Sequence, residues 1–210
     1  MRGDGSLDLE KGWIVRTDEL MSSPAVAVSP EMSIKQAAAV LVANDVTAAP
    51  VLDGAGDLVG IVSEADLLVH ETPHDPRAHL RLLPDDPVPP PRRVSDVMST
   101  DVTTVSEGAD ASDAVAIMLD LRVKSVPVLA GGRVVGVISQ RDLLRALARD
   151  DAEIRGDVEE RLRQNVEEPE SYRVTVREGL VTVTGHNQRG ATALVRTVPG
   201  VIRVMWRDAR

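Results

Sequence analysis

Two short segments place a serine hydroxyl and an aspartate carboxylate at the same spacing behind a predicted strand. They are Gly60-Ile61-Val62-Ser63-Glu64-Ala65-Asp66 and Gly136-Val137-Ile138-Ser139-Gln140-Arg141-Asp142. In each segment the strand is expected to end at the serine, where a helix begins. The first turn of a helix presents free N–H groups and a partial positive charge, which suit a phosphate group. The serine hydroxyl can donate to the same phosphate, so both segments are candidate anion sites.

The two segments differ at a position that decides how well each can hold a phosphate. Arg141 supplies a guanidinium, the side chain best shaped to clasp phosphate oxygens, whereas the first segment has Ala65 at that position. Asp142 would repel a phosphate, but a carboxylate can accept hydrogen bonds from the 2′ and 3′ hydroxyls of a ribose. We therefore expect two unequal sites, of which the one in the second segment holds phosphate better.

The same serine–aspartate spacing also has a purely structural interpretation. A serine at a helix start, followed three residues later by an acidic residue, resembles a capping box, in which each side chain accepts a hydrogen bond from the other residue's backbone N–H. One such segment alone would favour that interpretation. Two copies, each behind a glycine and two β-branched residues, favour a nucleotide pocket in at least one of them. The two roles are compatible, because a serine can cap its helix while the site is empty.

The two segments belong to two copies of a longer pattern, at residues 15–68 and 94–149. Pro50 corresponds to Pro127 at an offset of 77 residues, and a repeat in constant register is typical of a duplicated structural unit. Each copy predicts the order strand, helix, strand, strand, helix, so that a mixed sheet packs against helices. The predicted fold class is therefore α+β of the α/β type. The two repeats are expected to pack about a pseudo-two-fold axis, with a ligand cleft between them.

The repeats resemble cystathionine-β-synthase (CBS) domains. The resemblance rests on a Met-Ser opening at residues 21 and 98, an apolar-Pro-Val turn at 50 and 127, and a Gly-x-x-Ser-x-x-Asp pattern at 60–66 and 136–142. It implies a CBS pair, or Bateman module, that binds AMP, ADP, ATP, S-adenosylmethionine or NAD(H) as a regulatory ligand and requires no other cofactor. It also implies that the aspartate of each pattern holds the ribose, and that the repeats assemble into a homodimer.

The resemblance places an adenine base among aliphatic side chains, with backbone groups reading the edge of the base. In the second copy, the positions expected to contact the ligand are Val102, Thr103, Val123, Lys124, Ser125, Val126, Ser139, Arg141 and Asp142. In the first copy they are Thr47, Ala48, Ser63 and Asp66. Each cleft can borrow residues from the other repeat, so these positions are a union over both sites.

The remaining segments differ from the repeats in composition. Residues 1–14 form a short lead-in, and residues 69–93 form a linker whose proline content favours an extended connector over a regular ladder. His70, His74 and His79 lie in this linker near acidic residues, but intervening prolines break the helix that would gather them around a metal. We interpret them as solvated histidines and expect no metal site.

A third unit is predicted over residues 151–208. Apolar residues at helical spacing predict a helix over 153–166, and alternating stretches on either side of Glu178-Gly179 predict a hairpin. The stretches at 178–185 and 198–201 resemble those of a BON domain. That resemblance implies a small αββ(α)β fold, in which the second helix is shortened here.

The composition argues against several classes of function. The 210 residues carry a formal net charge of −9, are only 1% aromatic and lack cysteine. An acidic chain with few stacking side chains is poorly suited to nucleic acid, and the absence of cysteine excludes disulfides and thiol chemistry. No apolar run approaches the roughly 20 residues of a membrane helix, and the start lacks the apolar core of a signal peptide. We therefore expect a cytoplasmic protein that neither spans a membrane nor binds nucleic acid.

Three functions compete at this point. A ligand sensor is favoured, in which occupancy of the cleft changes the packing of the repeats and the BON-like unit or an unknown protein partner reads the change. An enzyme is disfavoured, because the chain has no nucleophile elbow, no P-loop, no metal-binding spacing and no convincing Ser-His-Asp set. A structural or protein-interaction scaffold with decayed pockets is the alternative that Ala65 and the shortened third unit keep open.

Overall fold

The computed structural model describes residues 15–69, 92–166, 168–185 and 190–207. The lead-in and most of the linker, including His70, His74 and His79, lie outside the described residues. The chain divides into two compact units. One comprises Met21–Glu107 and Ala116–Gln140, and the other comprises the described parts of Met1–Leu20, Gly108–Val115 and Arg141–Arg210.

Over residues 15–69 the first repeat forms helices and a two-stranded antiparallel sheet. Its elements are α1 (Thr17–Leu20), α2 (Ile34–Ala43), β1 (Ala48–Leu52), β2 (Leu58–Ser63) and α3 (Glu64–Val69). The strand expected before α2 is reduced to a single parallel bridge between Val28 and Val51. Helix α2 begins with a capping box between Ser33 and Gln36, which satisfies two backbone N–H groups at the helix start.

Over residues 92–149 the second repeat forms a three-stranded sheet flanked by helices. Its elements are a 3₁₀ helix (Val94–Asp96), β3 (Val105–Ser106), α4 (Ala111–Asp120), β4 (Ser125–Ala130), β5 (Arg133–Ser139) and α5 (Gln140–Leu147). Strand β3 runs parallel to β4, and β4 runs antiparallel to β5. This repeat therefore has the predicted order of strand, helix, strand, strand and helix, and its mixed sheet confirms the predicted fold class.

The opening of each repeat pairs with the last sheet strand of the other repeat. Ser22 exchanges two backbone hydrogen bonds with Val137 on β5, at 2.9 and 3.0 Å. Ser99 exchanges two with Ile61 on β2, both at 2.9 Å. All four residues belong to the same compact unit. This reciprocal pairing gives the Met-Ser openings a structural role, because each one adds backbone hydrogen bonds to the edge of the other repeat's sheet.

Glycine is required where these openings cross the strands. A Cβ added to Gly60 would lie 2.7 Å from Sδ of Met98, and one added to Gly136 would lie 2.5 Å from Sδ of Met21. Neither distance leaves room for a side chain. The glycine of the Gly-x-x-Ser-x-x-Asp pattern therefore makes space for the opposite repeat, while the serine and aspartate of the same pattern lie at the following helix start.

An aliphatic core fixes the strands that end at the cleft. Its buried members come from α2, α3, β1, β2 and the segments that precede α2 and begin the second repeat. They are Val28, Ile34, Ala37, Leu41, Ala49, Val51, Val62, Leu67 and Val94. Burial of each large aliphatic side chain contributes about 1.5–3 kcal/mol, so this core holds the ends of β1 and β2, which carry Ala48 and Ser63.

The tail after the second repeat folds into helices and a three-stranded sheet. Its elements are α6 (Asp151–Asn165), a 3₁₀ helix (Pro169–Ser171), β6 (Arg173–Arg177), β7 (Leu180–Thr184), α7 (Ala191–Arg196) and β8 (Arg203–Arg207). Strand β7 is central, antiparallel to β6 and parallel to β8. The core contains the buried residues Ile154, Val158, Leu162, Val174, Val181, Val183, Ala191, Val195, Val198 and Val201. The helix and hairpin predicted for this region are confirmed.

Candidate functional site

A cavity of about 320 Å³ lies where β1 begins, β2 ends and β4 begins. The first repeat contributes Thr47, Ala48, Ile61, Ser63, Glu64, Ala65 and Asp66. The second repeat contributes Ser99, Asp101, Val102, Thr103, Ile117, Leu121, Arg122, Val123, Lys124, Ser125 and Pro127. All of these residues belong to one compact unit. The volume is within the range of pockets that bury small ligands.

Backbone hydrogen bonds fasten each helix start to the segment leading into the neighbouring strand. Glu64 N donates to the carbonyl oxygen of Thr47 at 2.9 Å, and Gln140 N donates to that of Lys124 at the same distance. The two contacts occupy equivalent positions in the two repeats. The Glu64 contact fixes the start of α3, which carries Asp66 and follows Ser63, relative to Thr47 and Ala48, which also line the cavity.

Ser63 and Asp66 form the capping box that the spacing allowed. Asp66 Oδ2 accepts hydrogen bonds from Ser63 N at 2.8 Å and from Ser63 Oγ at 2.6 Å. Asp66 N donates to Ser63 Oγ at 3.4 Å, which is long for a hydrogen bond. Within the described part of the chain, Asp66 Oδ1 accepts no hydrogen bond. One carboxylate oxygen of Asp66 therefore holds the helix start, and the other retains its capacity to accept from a ligand.

Ser125 brings a second uncommitted polar group to the cavity. The residue is only 7% exposed, lines the cavity and begins β4, where it pairs with Ser139 of β5. Across the residues that the structure describes, its hydroxyl has no hydrogen-bond partner. Buried polar groups are nearly always hydrogen-bonded to protein, water or ligand. The Ser125 hydroxyl is thus placed to bond something that enters the cavity.

The charges around the cavity have mixed sign. Glu64, Asp66 and Asp101 supply carboxylates, while Arg122 and Lys124 supply cations. Among the described residues, none of these five side chains takes part in an ion pair. The cations lie on the segment that joins α4 to β4, whereas two of the three acids, Glu64 and Asp66, lie in the first turn of α3. The wall near α3 is therefore acidic and has no cation of its own, in keeping with Ala65 at the position of Arg141.

The structure brings together most of the positions proposed from the sequence. Nine of them line this one cavity: Thr47, Ala48, Ser63, Asp66, Val102, Thr103, Val123, Lys124 and Ser125. The sequence predicts that Val102, Thr103 and the 123–126 stretch wall the site that contains Ser139. In the structure, these residues of the second repeat instead line the same cavity as Ser63 and Asp66 of the first repeat.

The other proposed positions are not among the residues that line this cavity. Val126 is 1% exposed and packs in the interior of the sheet. Ser139 ends β5, and Arg141 and Asp142 lie in the first turn of α5. Asp142 is 8% exposed, with Oδ1 at 3.4 Å from Nη1 of Arg145. Ser139, Arg141 and Asp142 lie at the junction of β5 and α5, which is equivalent to the junction of β2 and α3 that carries Ser63, Ala65 and Asp66.

Several lining residues were not anticipated from the sequence, notably Ile61, Ser99, Asp101 and Arg122. The signal that identifies the first three is the Met-Ser opening. Because Ser99 pairs with Ile61, the residues that follow Ser99 are carried along the cavity wall. Arg122 has a positive φ of 56°, so this residue turns the chain between α4 and β4, a feature that its residue type does not indicate.

Two features are absent from the part of the chain that the structure describes. None of its helices combines the length and apolar character needed to cross a bilayer. No cluster of three or more histidine, aspartate or glutamate side chains has a geometry that could hold a metal ion.

The fold is that of a paired α/β module, in which the opening of each repeat pairs with a strand of the other repeat and both repeats line one cavity. The sequence model for the CBS domain matches residues 17–71 and 94–149, and the chain belongs to the CBS-domain family. A pair of such domains is a regulatory module, and the expected tandem CBS organisation is confirmed.

Comparison with individual proteins agrees with this assignment. The chain is 29% identical over 136 residues, 65% of its length, to the A-adding tRNA nucleotidyltransferase of Aquifex aeolicus, but spans only 15% of that enzyme. It resembles the crystal structure of CBSX2 in complex with AMP, with a TM-score of 0.51 and 26% identity over 63% of this chain and 95% of the other. The CBS domain pair of protein MJ0100, in complex with 5′-methylthioadenosine and S-adenosyl-L-methionine, has the same TM-score at 23% identity, over 63% and 94% of the two chains.

Proposed function

We propose that this protein is a ligand-sensing module whose cavity binds an adenosyl compound, with AMP, ADP, ATP, S-adenosylmethionine and NAD(H) as the candidates. The observation that carries the proposal is the pair of uncommitted acceptor and donor groups in one cavity, the free oxygen of Asp66 and the hydroxyl of Ser125. The AMP complex of CBSX2, a protein of the same fold at 26% identity, supports the choice of ligand class.

The lining residues divide into groups suited to the parts of an adenosyl ligand. Asp66 would accept hydrogen bonds from ribose hydroxyls, and Ser125 would bond a polar atom of the base or sugar. Ile61 and Val123 offer apolar surface for the purine ring. Lys124 and Arg122 supply the positive charge that a phosphate would need.

A second, unequal site is proposed at Ser139, Arg141 and Asp142. These residues begin α5 as Ser63, Ala65 and Asp66 begin α3. The additional guanidinium of Arg141 favours a ligand with more phosphate groups, whereas the acidic wall near α3 favours an adenosyl ligand with few. Ligands with different charges would then distribute unequally between the two sites.

We further propose that the repeats form a homodimer through their helices. Two pairs of equivalent positions in the two repeats expose large apolar side chains. One pair is Val42 on α2 and Leu119 on α4, and the other is Leu68 on α3 and Leu144 on α5. Contiguous exposed apolar patches mark association surfaces, and we propose that these side chains contribute to one such patch. Multi-angle light scattering of Val42→Asp/Leu119→Asp is expected to show a monomer where the parent chain is a dimer. A parent chain that is already monomeric at micromolar concentration contradicts this part of the proposal.

We propose that the tail is a BON-like domain and that it senses the state of α5. Arg149, just beyond this helix, donates to the carbonyl oxygen of Pro199 at 2.9 Å and pairs with Asp157 of α6 at 2.6 Å. A Cβ on Gly200 would lie 3.0 Å from the carbonyl oxygen of Ala146. The first turn of α5 carries Arg141. A ligand that binds there and moves the helix would therefore change the contacts between α5 and the tail. An unidentified protein partner would then bind according to that change.

A thermal-shift screen of the full chain with AMP, ATP, S-adenosylmethionine and NADH tests the proposal. A ligand that binds only the folded state stabilises it by about 2.7 kcal/mol at a hundred times its Kd, so at least one compound should raise Tm. Asp66→Ala should reduce the rise in Tm caused by ligands of the first site, and Asp142→Ala should reduce the rise caused by ligands of the second site. If no compound raises Tm, the sensor function is contradicted. The alternative, a scaffold with decayed pockets, would then account for the Ser63–Asp66 capping box, which needs no ligand.

A further inference from the structure

The sheet of the tail has one face that does not contribute to the core. Side chains alternate between the two faces of a strand, and Val174, Val181, Val183, Val204 and Trp206 pack into the core. The opposite face therefore carries the intervening positions of the three strands. These are Arg173, Thr175, Arg177, Leu180, Thr182, Thr184, Arg203, Met205 and Arg207.

The strand register places four arginines at the corners of this outer face. Arg173 and Arg207 lie on either side of Thr184, and Arg177 and Arg203 lie on either side of Leu180. With strands spaced about 4.8 Å apart and a rise of about 3.4 Å per residue, the corners are about 10 Å apart across the sheet and about 14 Å apart along it.

The outer face is positively charged, and no ion pair with the residues that the structure describes compensates this charge. None of its positions is acidic, although the chain as a whole carries a net charge of −9. All four corner arginines are exposed, and in the described part of the chain none of them makes a side-chain hydrogen bond or an ion pair. By contrast, Arg155 and Arg163 on α6 of the same tail pair with Glu159 and Glu160. Four guanidinium groups on one face of the sheet, none of them paired with a described residue, indicate an anionic partner.

We propose that this outer face docks an acidic segment of another protein, a role separate from the adenosyl site. Arginine and methionine are enriched, and lysine is depleted, where proteins meet. The outer face combines its arginines with partly exposed Met205 and Leu180, and residues 151–210 contain no lysine. A guanidinium matches the geometry of a carboxylate, and an extended segment of about five residues spans the 14 Å between corner arginines.

The residue types favour protein over other polyanions. Single-stranded nucleic acid is held by stacking on aromatic rings, and proteins at a membrane interface commonly use Trp or Tyr as anchors. No outer-face position is aromatic. Trp206 faces the core, where it meets Tyr172 edge to face with ring centroids 6.0 Å apart. Thr175, Thr182 and Thr184 instead give the outer face hydroxyl groups that can bond carboxylates or peptide groups.

Fluorescence anisotropy of the full chain with a labelled twelve-residue peptide of alternating Glu and Ser tests this proposal. We expect Arg173→Gln/Arg207→Gln to weaken binding about tenfold, since close charge pairs at interfaces have substantial coupling energies. The matched control, Arg155→Gln/Arg163→Gln, removes the same charge from the same tail and should change affinity less than about twofold. Raising the salt concentration should weaken binding, and a peptide with Gln in place of Glu should not bind.

Three results would overturn the proposal. The first is the absence of peptide binding at low salt, and the second is an equal loss of affinity in both double variants. The third comes from parallel titrations with vesicles of phosphatidylcholine and phosphatidylglycerol and with an oligo-dT strand. If Arg173→Gln/Arg207→Gln impairs binding to either of these but not to the peptide, the outer face serves a membrane or a nucleic acid. Circular dichroism of each variant verifies that its fold is retained.

Discussion

Gly136, on the last strand of the second repeat, lies against Met21, the methionine of the Met-Ser opening of the first repeat. A Cβ on Gly136 would be 2.5 Å from Sδ of Met21 and 2.9 Å from the carbonyl oxygen of Ser22. The methionine side chain could move aside, but the carbonyl belongs to the backbone segment that pairs with Val137. Gly136 is thus needed for the close contact between the two repeats, and it also lies on the strand that ends at Ser139.

Gly136→Ala is therefore expected to destabilise the protein. Inserting a methyl group into a packed contact costs about 1–3 kcal/mol, and here it also strains the pairing of Ser22 with Val137. Chemical denaturation monitored by circular dichroism measures the loss. Gly54→Ala is the control, because a Cβ on Gly54 has no atom within 4 Å. A Gly136→Ala protein as stable as the control variant would contradict the proposed role of this contact.

Ser125→Ala is expected to weaken AMP binding about two- to tenfold without lowering the Tm of the free protein. The hydroxyl has no partner in the described structure, so its removal deprives only the ligand of a hydrogen bond, which is worth about 0.5–1.5 kcal/mol. Calorimetric titration gives the affinity, and Ser106→Ala at the exposed position of strand β3 is the matched control. Unchanged affinity in Ser125→Ala would remove this residue from the proposed site.

Ala65→Arg is expected to strengthen ADP binding about tenfold while leaving adenosine binding unchanged. The substitution gives the first repeat the guanidinium that Arg141 provides in the second, and hydrogen bonds to charged groups contribute about 1.5–3 kcal/mol. Ala65→Gln has a long side chain without the charge and serves as the control. Equal gains for ADP and adenosine would show that the effect does not arise from phosphate.

Acid should remove the stabilising effect of Asp96 at the start of the second repeat. Hydrogen bonds from the backbone N–H groups of Arg92 and Arg93 hold the pKa of Asp96 below its ordinary value of 3.8. A carboxyl whose pKa is lower in the folded state stabilises the fold above the unfolded pKa, and this effect is lost as the pH falls through the folded value. The difference in Tm between the parent chain and Asp96→Ala should therefore be largest near neutral pH and shrink below pH 3.8. A difference that is constant with pH would contradict this origin.

The local elements were predictable because their signals lie within a few residues of one another. Helix α6 follows from the spacing of Ile154, Val158 and Leu162, and the hairpin follows from alternation around Glu178 and Gly179. The capping box of Ser63 and Asp66 was likewise readable from a spacing of three. Propensity, periodicity and capping are properties of short stretches, so these predictions needed no knowledge of tertiary packing.

The grouping of the cavity residues was less accessible from the sequence. Val102 and Thr103 follow the opening of the second repeat, and that opening crosses to Ile61 of the first. No local pattern indicates such an exchange between repeats. Aligning the two repeats shows which residues are equivalent, but the alignment does not show which repeat supplies the cavity residues around Asp66. That relationship depends on packing between segments far apart in the chain.

The most direct measurement for the central claim is calorimetric titration of AMP into the full chain and into an Asp66→Ala/Ser125→Ala variant. If the cavity between the two CBS domains holds the adenosyl group, the parent chain binds AMP and the variant loses one class of sites, or binds at least about tenfold more weakly. If AMP binds the variant with the stoichiometry and affinity of the parent chain, or releases no heat with the parent chain at all, the cavity is not an AMP site.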